Sequence, residues 1–187
     1  MEKVLTFVKP YLNFIDSGKF FEEPIKWLYM AIAALMLLFP FATLVTAING
    51  GIFKYDGTLA IAFILVWVVM LAASALCATI WWNRKDDLTS DKNEFVAIPI
   101  VAHLIKTFGE VAGTFIAIMG VALAIIGTLF ANKGDSLSQF IPGVSSFGIA
   151  GIVASPIIGY MTVLFSRYAS EMAKVLAAIA NNTKKSK

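Results

Sequence analysis

Uncharged apolar runs divide the chain into four long blocks separated by short polar stretches. Each block contains no Asp, Glu, Lys, Arg or His and is at least as long as the roughly 20 helical residues that cross a bilayer core. The blocks are Leu28–Gly51, Thr58–Trp82, Val111–Asn132 and Ser136–Ser166. The last block opens with the loop-like stretch "SLSQFIPGVSS", so its span is expected to begin near Phe147. The pattern predicts an all-α integral membrane protein, a four-helix bundle with spans at about 28–49, 58–82, 111–131 and 147–166.

Composition agrees with a membrane protein and removes several other classes. The 187 residues are 59% hydrophobic and only 14% charged, with a mean hydropathy of +0.80, whereas a soluble domain carries about 25% charged residues. Cys77 is the only cysteine, which excludes an internal disulfide and a thiolate metal cluster. The net charge of +3 gives no support for nucleic-acid binding.

Lys and Arg are distributed unevenly among the connections between the spans. Four precede the first span, four lie between the second and third, and five follow the fourth, while the other two connections hold one each. The positive-inside rule therefore places both termini in the cytoplasm. The basic end "TKKSK" suits anionic lipid headgroups. An aromatic belt is expected at the inner boundary, formed by Trp27, Tyr29, Trp81 and Trp82.

Amphipathic segments accompany the spans on this predicted cytoplasmic side. Residues 1–17 carry apolar side chains on one helical face and are predicted to form an interfacial helix. Residues 167–182 keep a periodic apolar face, which predicts a cytoplasmic helix that extends the fourth span. Within this extension Arg167 and Glu171 are four residues apart, the spacing of a helical ion pair.

The segment "EFVAIPIVAHLIKTFGE", residues 94–110, is apolar but holds the only histidine of the chain. Pro99, His103, Lys106 and Glu110 recur at spacings of four, three and four, which places them on one helical stripe. Too few apolar residues precede Lys106 for the segment to span a bilayer. It is predicted to be an interfacial cytoplasmic helix that bends into the third span with a kink at Pro99; a re-entrant loop is the alternative.

Small residues recur at helical spacing in the third and fourth spans. Such stripes let helix backbones approach closely, and close packing drives helix association in lipid. The predicted helix-packing residues are Gly113, Ala117, Gly120, Ala124, Gly151, Ser155 and Gly159. Packing within one chain is the principal interpretation, and self-assembly or partner docking is the alternative.

The spans offer no obvious chemistry of their own. No ionisable side chain lies in a span core, whereas ion-coupled transporters usually use Asp, Glu, Arg or His within the membrane. The sequence contains no phosphate-binding loop, nucleophile elbow or calcium loop. His103 and Glu110 have no metal partner or nucleophile at motif spacing. No catalytic, cofactor-binding or metal-ligating residue is therefore predicted, and the protein is expected not to be an enzyme.

Several motifs resemble an uncharacterised family of small bacterial inner-membrane proteins. The resemblance rests on Arg167-x-x-x-Glu171 followed by Ile179, Asn182 and Thr183, and on "FFEEPIKWLYM", "WWNRK" and "EFVAIPIVAHLIKTFGE". It extends over most of the chain and implies four spans in a bacterial cytoplasmic membrane. It brings no activity, cofactor or catalytic residue with it.

The leading hypothesis is a non-enzymatic accessory or scaffold subunit of a bacterial inner-membrane complex, because amphipathic cytoplasmic segments accompany spans without chemistry. Its partner is expected to be another membrane protein or a second copy of the chain. The candidate partner surface consists of His103, Lys106, Glu110, Arg167, Glu171 and Lys174.

A channel or facilitator for a neutral or lipid-like solute, acting as an oligomer, is the alternative. Pro40 and Pro156, which are expected to kink two spans, motivate it, together with hydroxyl groups inside the spans. These hydroxyls belong to Thr43, Thr46, Ser74, Thr114 and Thr162. A membrane enzyme that uses His103 and Glu110 at the cytoplasmic face ranks third.

Overall fold

The computed structural model describes residues 19–55, 57–88, 97–131, 136, 138 and 148–185. The helices are α1 (Lys19–Asn49), α2 (Ile52–Tyr55), α3 (Gly57–Arg84), α4 (Ala97–Leu129) and α5 (Gly151–Lys185). Four of them, α1, α3, α4 and α5, are long and apolar enough to cross a bilayer. The prediction of an all-helical chain with four potential membrane spans is thus confirmed over the described residues. The interfacial helix predicted at residues 1–17 lies outside them.

Helices α4 and α5 have different bounds from those predicted. Helix α4 begins at Ala97 and runs without interruption into the third span, so residues 97–110 do not form a separate helix. Pro99 is the third residue of α4, a position at which a proline is tolerated because first-turn N–H groups have no partner within a helix. Helix α5 begins at Gly151 and continues through the predicted extension to Lys185. The turn before it requires Gly148, whose φ is 43°.

Contacts at one end of the molecule fix the directions of the long helices. The ring of Tyr29, near the start of α1, lies against Trp81, near the end of α3, and beside His103, near the start of α4. At the same end Arg167 of α5 forms an ion pair with Glu110 of α4. Successive long helices are therefore antiparallel. The start of α1 and the second half of α5 lie at the end where the chain passes from α3 to α4.

The four long helices pack unevenly against one another. Helix α3 packs against both α1 and α4, whereas α5 packs extensively against α4 alone among the described helices. The buried share of the apolar span is 39% in α3 and 44% in α4, but 17% in α1 and 11% in α5. A three-helix group of α1, α3 and α4 thus carries α5 on the outer side of α4.

The three-helix group is held by bulky side chains and a few polar links. One apolar cluster contains Phe63, Val66 and Met70 of α3, and the short helix α2 closes it with the fully buried Ile52. In the middle of the group the indole Nε1 of Trp67 donates a 2.8 Å hydrogen bond to the carbonyl oxygen of Pro40. Large side chains keep these helix axes apart, as in ordinary core packing.

The α4–α5 interface is made of small residues. A methyl group added at Gly113 would collide with the carbonyl oxygen of Gly159, and one added at Gly120 would collide with the side chain of Ser155. One added at Gly159 would lie 2.8 Å from the Cβ atom of Ala117. The structure thus brings five of the seven predicted helix-packing residues together. The other two, Ala124 and Gly151, are also buried.

Candidate functional site

A carboxylate, two guanidinium groups and an exposed aspartate form the most highly charged interhelical contact of the described residues, which we call the Glu110 cluster. Glu110 stands on α4, Arg84 is the last residue of α3, and Arg167 follows the uncharged part of α5. Gly109, beside Glu110, has the side chain of Ser166 against its Cα, so α5 can come close enough for Arg167 to reach across. The cluster, completed by Asp87, joins three helices.

Hydrogen bonds saturate the carboxylate of Glu110. Arg84 donates from Nε to Oε2 and from Nη2 to Oε1, both at 2.9 Å, which is the forked geometry of a guanidinium–carboxylate pair. Arg167 donates from Nη2 to Oε1 at 2.7 Å and from Nε to the same oxygen at 3.2 Å. The Glu110 side chain is only 9% exposed. A carboxylate buried to this degree is costly unless it is paired, so its two cations keep it in place.

Asp87 extends the cluster into the connection after α3. Its Oδ2 accepts a 2.7 Å hydrogen bond from Nη1 of Arg84, so all three nitrogens of that guanidinium are engaged. The hydrogen bond from Arg84 lowers the pKa of Asp87, and the positive charge of the same residue adds to the effect. The Asp87 side chain is 54% exposed, so the contact is weakened by solvent and salt.

A buried polar chain lies next to the Glu110 cluster, between α1 and α4. The hydroxyl of Tyr29 is 3.0 Å from Nδ1 of His103 and 3.4 Å from Oγ1 of Thr107. Thr107 in turn donates to the carbonyl oxygen of His103 at 2.9 Å. Tyr29 and Thr107 are fully buried, and the Tyr29 ring meets Trp81 edge to face at 4.7 Å. Nε2 of His103 and Nε1 of Trp81 are buried without a hydrogen-bond partner among the described residues.

The structure divides the six residues of the predicted partner surface. His103 and Glu110 are buried and bonded within the chain, so they are not available to a partner in this conformation. Arg167 uses its guanidinium on Glu110 rather than on Glu171, the partner that spacing within the helix suggested. Glu171 and Lys174 are exposed and Lys106 is partly exposed. Their contact with a partner stays a prediction.

Two of the four residues predicted to form the aromatic belt lie on the outer surface of the helices, and two do not. Trp27 and Trp82 are 68% and 52% exposed, and Nζ of Lys85 lies 4.8 Å from the centre of the Trp82 ring. Tyr29 and Trp81 instead lie in the core. The reason is helical geometry, since residues one or two apart point in very different directions. Trp81 therefore faces the core while its neighbour Trp82 faces outward.

Two helical segments continue past the Glu110 cluster, and we call them the α4–α5 projection: residues 97–109 of α4 and 168–185 of α5. From Glu110 to the end of α4 is about 28 Å at the helical rise, close to the thickness of a bilayer core, about 30 Å. Gly109 of α4 packs on Ser166 of α5. Farther out Ser170 and Ala177 are buried, as is Ala102 of α4, so the two segments stay packed together.

The hydroxyl groups that motivated a channel are mostly engaged within their own helices. Thr43 donates to the carbonyl oxygen of Pro40, Thr46 to that of Ala42, and Thr162 to that of Ile158. Thr114 bonds in the same way to the carbonyl oxygen of Glu110, while Ser74 is buried without a hydrogen bond from its hydroxyl among the described residues. These hydroxyls therefore satisfy helix backbones.

Two cavities lie at separate places on the helices. A cavity of about 360 Å³ between α1 and α4 is entirely apolar in character. Its lining residues are Ile32, Leu35, Met36, Phe39 and Phe115. A second, of about 320 Å³, lies at the Glu110 cluster, lined by Ile80, Asn83, Arg84, Asp87 and Glu110. The two linings share no residue.

The site has several members that the sequence did not indicate. Arg84 directly follows an apolar span, and its position there was the only signal that it joins a buried contact. Thr107 lies one turn from His103 on the polar side of α4. In the part of the chain that the structure describes, no group of three or more His, Cys, Asp or Glu side chains is placed to hold a metal ion. Comparison with protein-family models, curated proteins and solved structures found no match to this chain.

Proposed function

We propose that this protein is a non-enzymatic accessory or scaffold subunit of a bacterial inner-membrane complex. The observation that carries the proposal is the Glu110 cluster, in which a buried carboxylate ties α4 to α3 and to α5 at once. Such a cluster holds the α4–α5 projection in a fixed direction relative to the membrane helices. A subunit whose task is to present a surface needs this rigidity, since an ordered surface loses less entropy when a partner binds.

An exposed apolar stripe on the projection is the surface we assign to the partner. Val101, Ile105 and Phe108 of α4 are 51%, 37% and 64% exposed. Their spacings of four and three place them on one helical face. Apolar side chains that continue past a membrane boundary are typical of protein contacts. The complementary partner is an apolar helix face on another membrane protein.

The charge distribution orients this surface toward the cytoplasm. Of the Lys and Arg residues that the structure describes, nine lie at the end where α1 starts and α3 passes to α4, and one, Lys54, lies at the other end. The positive-inside rule assigns the richer end to the cytoplasm. Helix α5 carries Lys185 about 27 Å past Arg167 along its axis. Contact between the basic C-terminal residues and lipid headgroups stays a prediction. A channel has less support, because the hydroxyls that suggested it bond to their own helices.

The decisive experiment is quantitative copurification from native membranes in a mild detergent. The wild type is compared with the double variant Val101→Ser/Ile105→Ser, which removes the centre of the α4 stripe. The matched control is Val153→Ser, which removes a residue 66% exposed at the opposite end of the molecule. A membrane-protein partner is expected with the wild type and with the control, and its recovery is expected to fall at least about tenfold with the stripe variant.

Two outcomes would overturn the proposal. If the protein is recovered alone from several detergents after crosslinking in intact membranes, the scaffold function is contradicted. Equal recovery of one partner with the wild type, the stripe variant and the control would show that the partner does not bind the α4 stripe.

A further inference from the structure

Helix α5 carries a second apolar stripe, which follows a different pattern from ordinary lipid exposure. Seven of its residues recur at alternating spacings of three and four, the heptad repeat of a coiled coil. They are Ile158, Met161, Phe165, Tyr168, Met172, Val175 and Ile179. Each is between 41% and 64% exposed. We call these seven residues the α5 stripe.

The α5 stripe faces away from the rest of its own chain. The buried residues of α5 on the side that packs against α4 include Ser155, Gly159 and Ser170. At 100° per residue the centre of the stripe lies about 140° around the helix axis from these residues. Nothing in the described part of the chain covers the stripe, so a partner approaching it would meet no obstruction from α4.

Lipid accounts for the first part of the stripe but not for the last. Met172, Val175 and Ile179 follow Arg167, whose side chain marks the level of the Glu110 cluster. The helix is continuous from Gly151 to Lys185, so this part extends from the membrane span rather than lying flat on the bilayer surface. A bilayer core of about 30 Å corresponds to about 20 helical residues, so with a core that begins at Gly151 these three exposed apolar side chains would lie past its far edge.

A second copy of this chain fits the stripe by symmetry. Two copies inserted in the same membrane have the same orientation, so their α5 helices can only pair in parallel. A parallel pair about a two-fold axis brings each stripe residue against its own counterpart. The heptad pattern is complementary to itself under that operation, because core positions of one helix meet the same positions of the other.

The flanking residues are compatible with such a pair. In a parallel coiled coil the positions beside the core face the partner across the seam. Glu171 would face Leu176 of the second copy, and Ala178 would face Thr183, so no like charges are opposed. Arg167 and Lys174 follow the core residues Phe165 and Met172 by two positions. This is position c of the heptad, which points away from the seam.

The exposed area of the stripe is also close to that of a standard interface. With about 150 to 200 Å² for a whole large apolar side chain, the exposed fractions of the seven residues leave on the order of 700 Å² open. A standard interface buries about 800 Å² on each partner. We propose that two copies of this protein pair in parallel through the α5 stripe, from the fourth span into the cytoplasmic part of the helix. The pair uses a different helix from the partner surface on α4, so it stands independently of the proposed function.

Cysteine crosslinking in native membranes tests the pairing residue by residue. Single cysteines are placed at Tyr168, Met172, Val175 and Ile179 in a Cys77→Ala background, with Lys174→Cys as the matched control next to Val175. Disulfides form only where Cα atoms come within about 7 Å. Oxidation is expected to give a covalent dimer at all four stripe positions, and roughly tenfold less at position 174.

The parallel direction makes the pattern specific. An antiparallel or accidental contact would crosslink one stripe position but not those one or two turns away. Dimer formation at a single position, at none, or equally at position 174 would overturn the proposal. A second measurement uses the wild type, whose mass in native-membrane nanodiscs is expected to be that of two chains. A single chain there would also overturn it.

Discussion

The two sides of α4 pack against their neighbouring helices in different ways. Toward α5 it presents glycine and alanine, and the backbones approach until added methyl groups would collide with the carbonyl of Gly159 and the hydroxymethyl group of Ser155. Toward α1 and α3 it meets aromatic rings and a buried polar chain, with Tyr29 bonded to His103 and packed on Trp81. Inside a membrane the first mode depends on close contact along the helices, and the second on a few directional bonds.

The Glu110 cluster is where the two modes meet. Its carboxylate accepts hydrogen bonds from α3 on one side and from α5 on the other. The cluster therefore makes the two interfaces dependent on each other, and the largest effects are expected there.

Replacement of Glu110 is expected to weaken both interfaces together. Glu110→Ala removes the carboxylate that Arg84 and Arg167 share. Because these side chains are 26% and 52% exposed and can be hydrated, the loss is that of the charge-assisted hydrogen bonds, about 1.5–3 kcal/mol. The free energy of unfolding in mixed micelles, followed by circular dichroism, is expected to fall by that amount. Glu171→Ala, at an exposed carboxylate on α5, is the control and is expected to change it by less than about 0.5 kcal/mol. Equal effects would mean that the cluster does not couple the helices.

A methyl group at Gly113 is expected to disturb the α4–α5 interface alone. Gly113→Ala forces the backbone of α5 to move, because the new carbon meets the Gly159 carbonyl oxygen. Overpacking of this kind costs about 1–3 kcal/mol. Gly57→Ala makes the same chemical change where no atom lies within 4 Å, and it is expected to cause no loss. Thermal unfolding of the two variants in one detergent gives the comparison, which fails if both melt alike.

Removal of the Tyr29 hydroxyl is expected to disturb only the other side of α4. Tyr29→Phe keeps the edge-to-face contact with Trp81 but leaves Nδ1 of His103 without its partner. An unmade buried hydrogen bond costs about 1–3 kcal/mol. Tyr160→Phe, at a ring 66% exposed, serves as the control. Denaturant unfolding in detergent should separate the two variants, and indistinguishable midpoints would contradict a stabilising role for this bond.

The smallest effect is expected from the exposed edge of the Glu110 cluster. The pKa of Asp87 is lowered by its hydrogen bond from Arg84, so the bond contributes stability above the unfolded pKa, about 3.9. That contribution is lost as the pH falls through the lower pKa of the folded state. At an exposed pair it amounts to less than about 1 kcal/mol. Melting temperatures of the wild type and Asp87→Asn are expected to converge at acidic pH; a constant difference would exclude this linkage.

Sequence patterns were sufficient for the spans and for the contact face of α4 and α5. Uncharged runs of membrane length report directly on burial in lipid, and small residues at helical spacing report on close approach. Each of these two signals lies within one continuous segment, so it can be read from the sequence without knowing which helices are neighbours. Gly109 was not predicted, because its importance comes from Ser166, a residue on another helix.

The polar residues of α4 were harder to interpret, because their partners are distant in sequence. His103, Lys106 and Glu110 form a stripe that by itself indicates a water-exposed face. The structure instead supplies Tyr29, Arg84 and Arg167 from three other helices. For the same reason a separate interfacial helix was predicted where α4 is continuous. Which of the long helices pack together also depends on contacts between distant segments, and no periodicity in the chain reports them.

The unbroken course of α4 has a mechanical consequence. Its only proline stands in the first turn, so a lateral push on that turn has no hinge at which to be absorbed. Helix α4 is about 50 Å long, and a rod of this length without a hinge would pivot as a whole. Motion imposed at one surface of the bilayer would then reappear, reversed in direction, at the other.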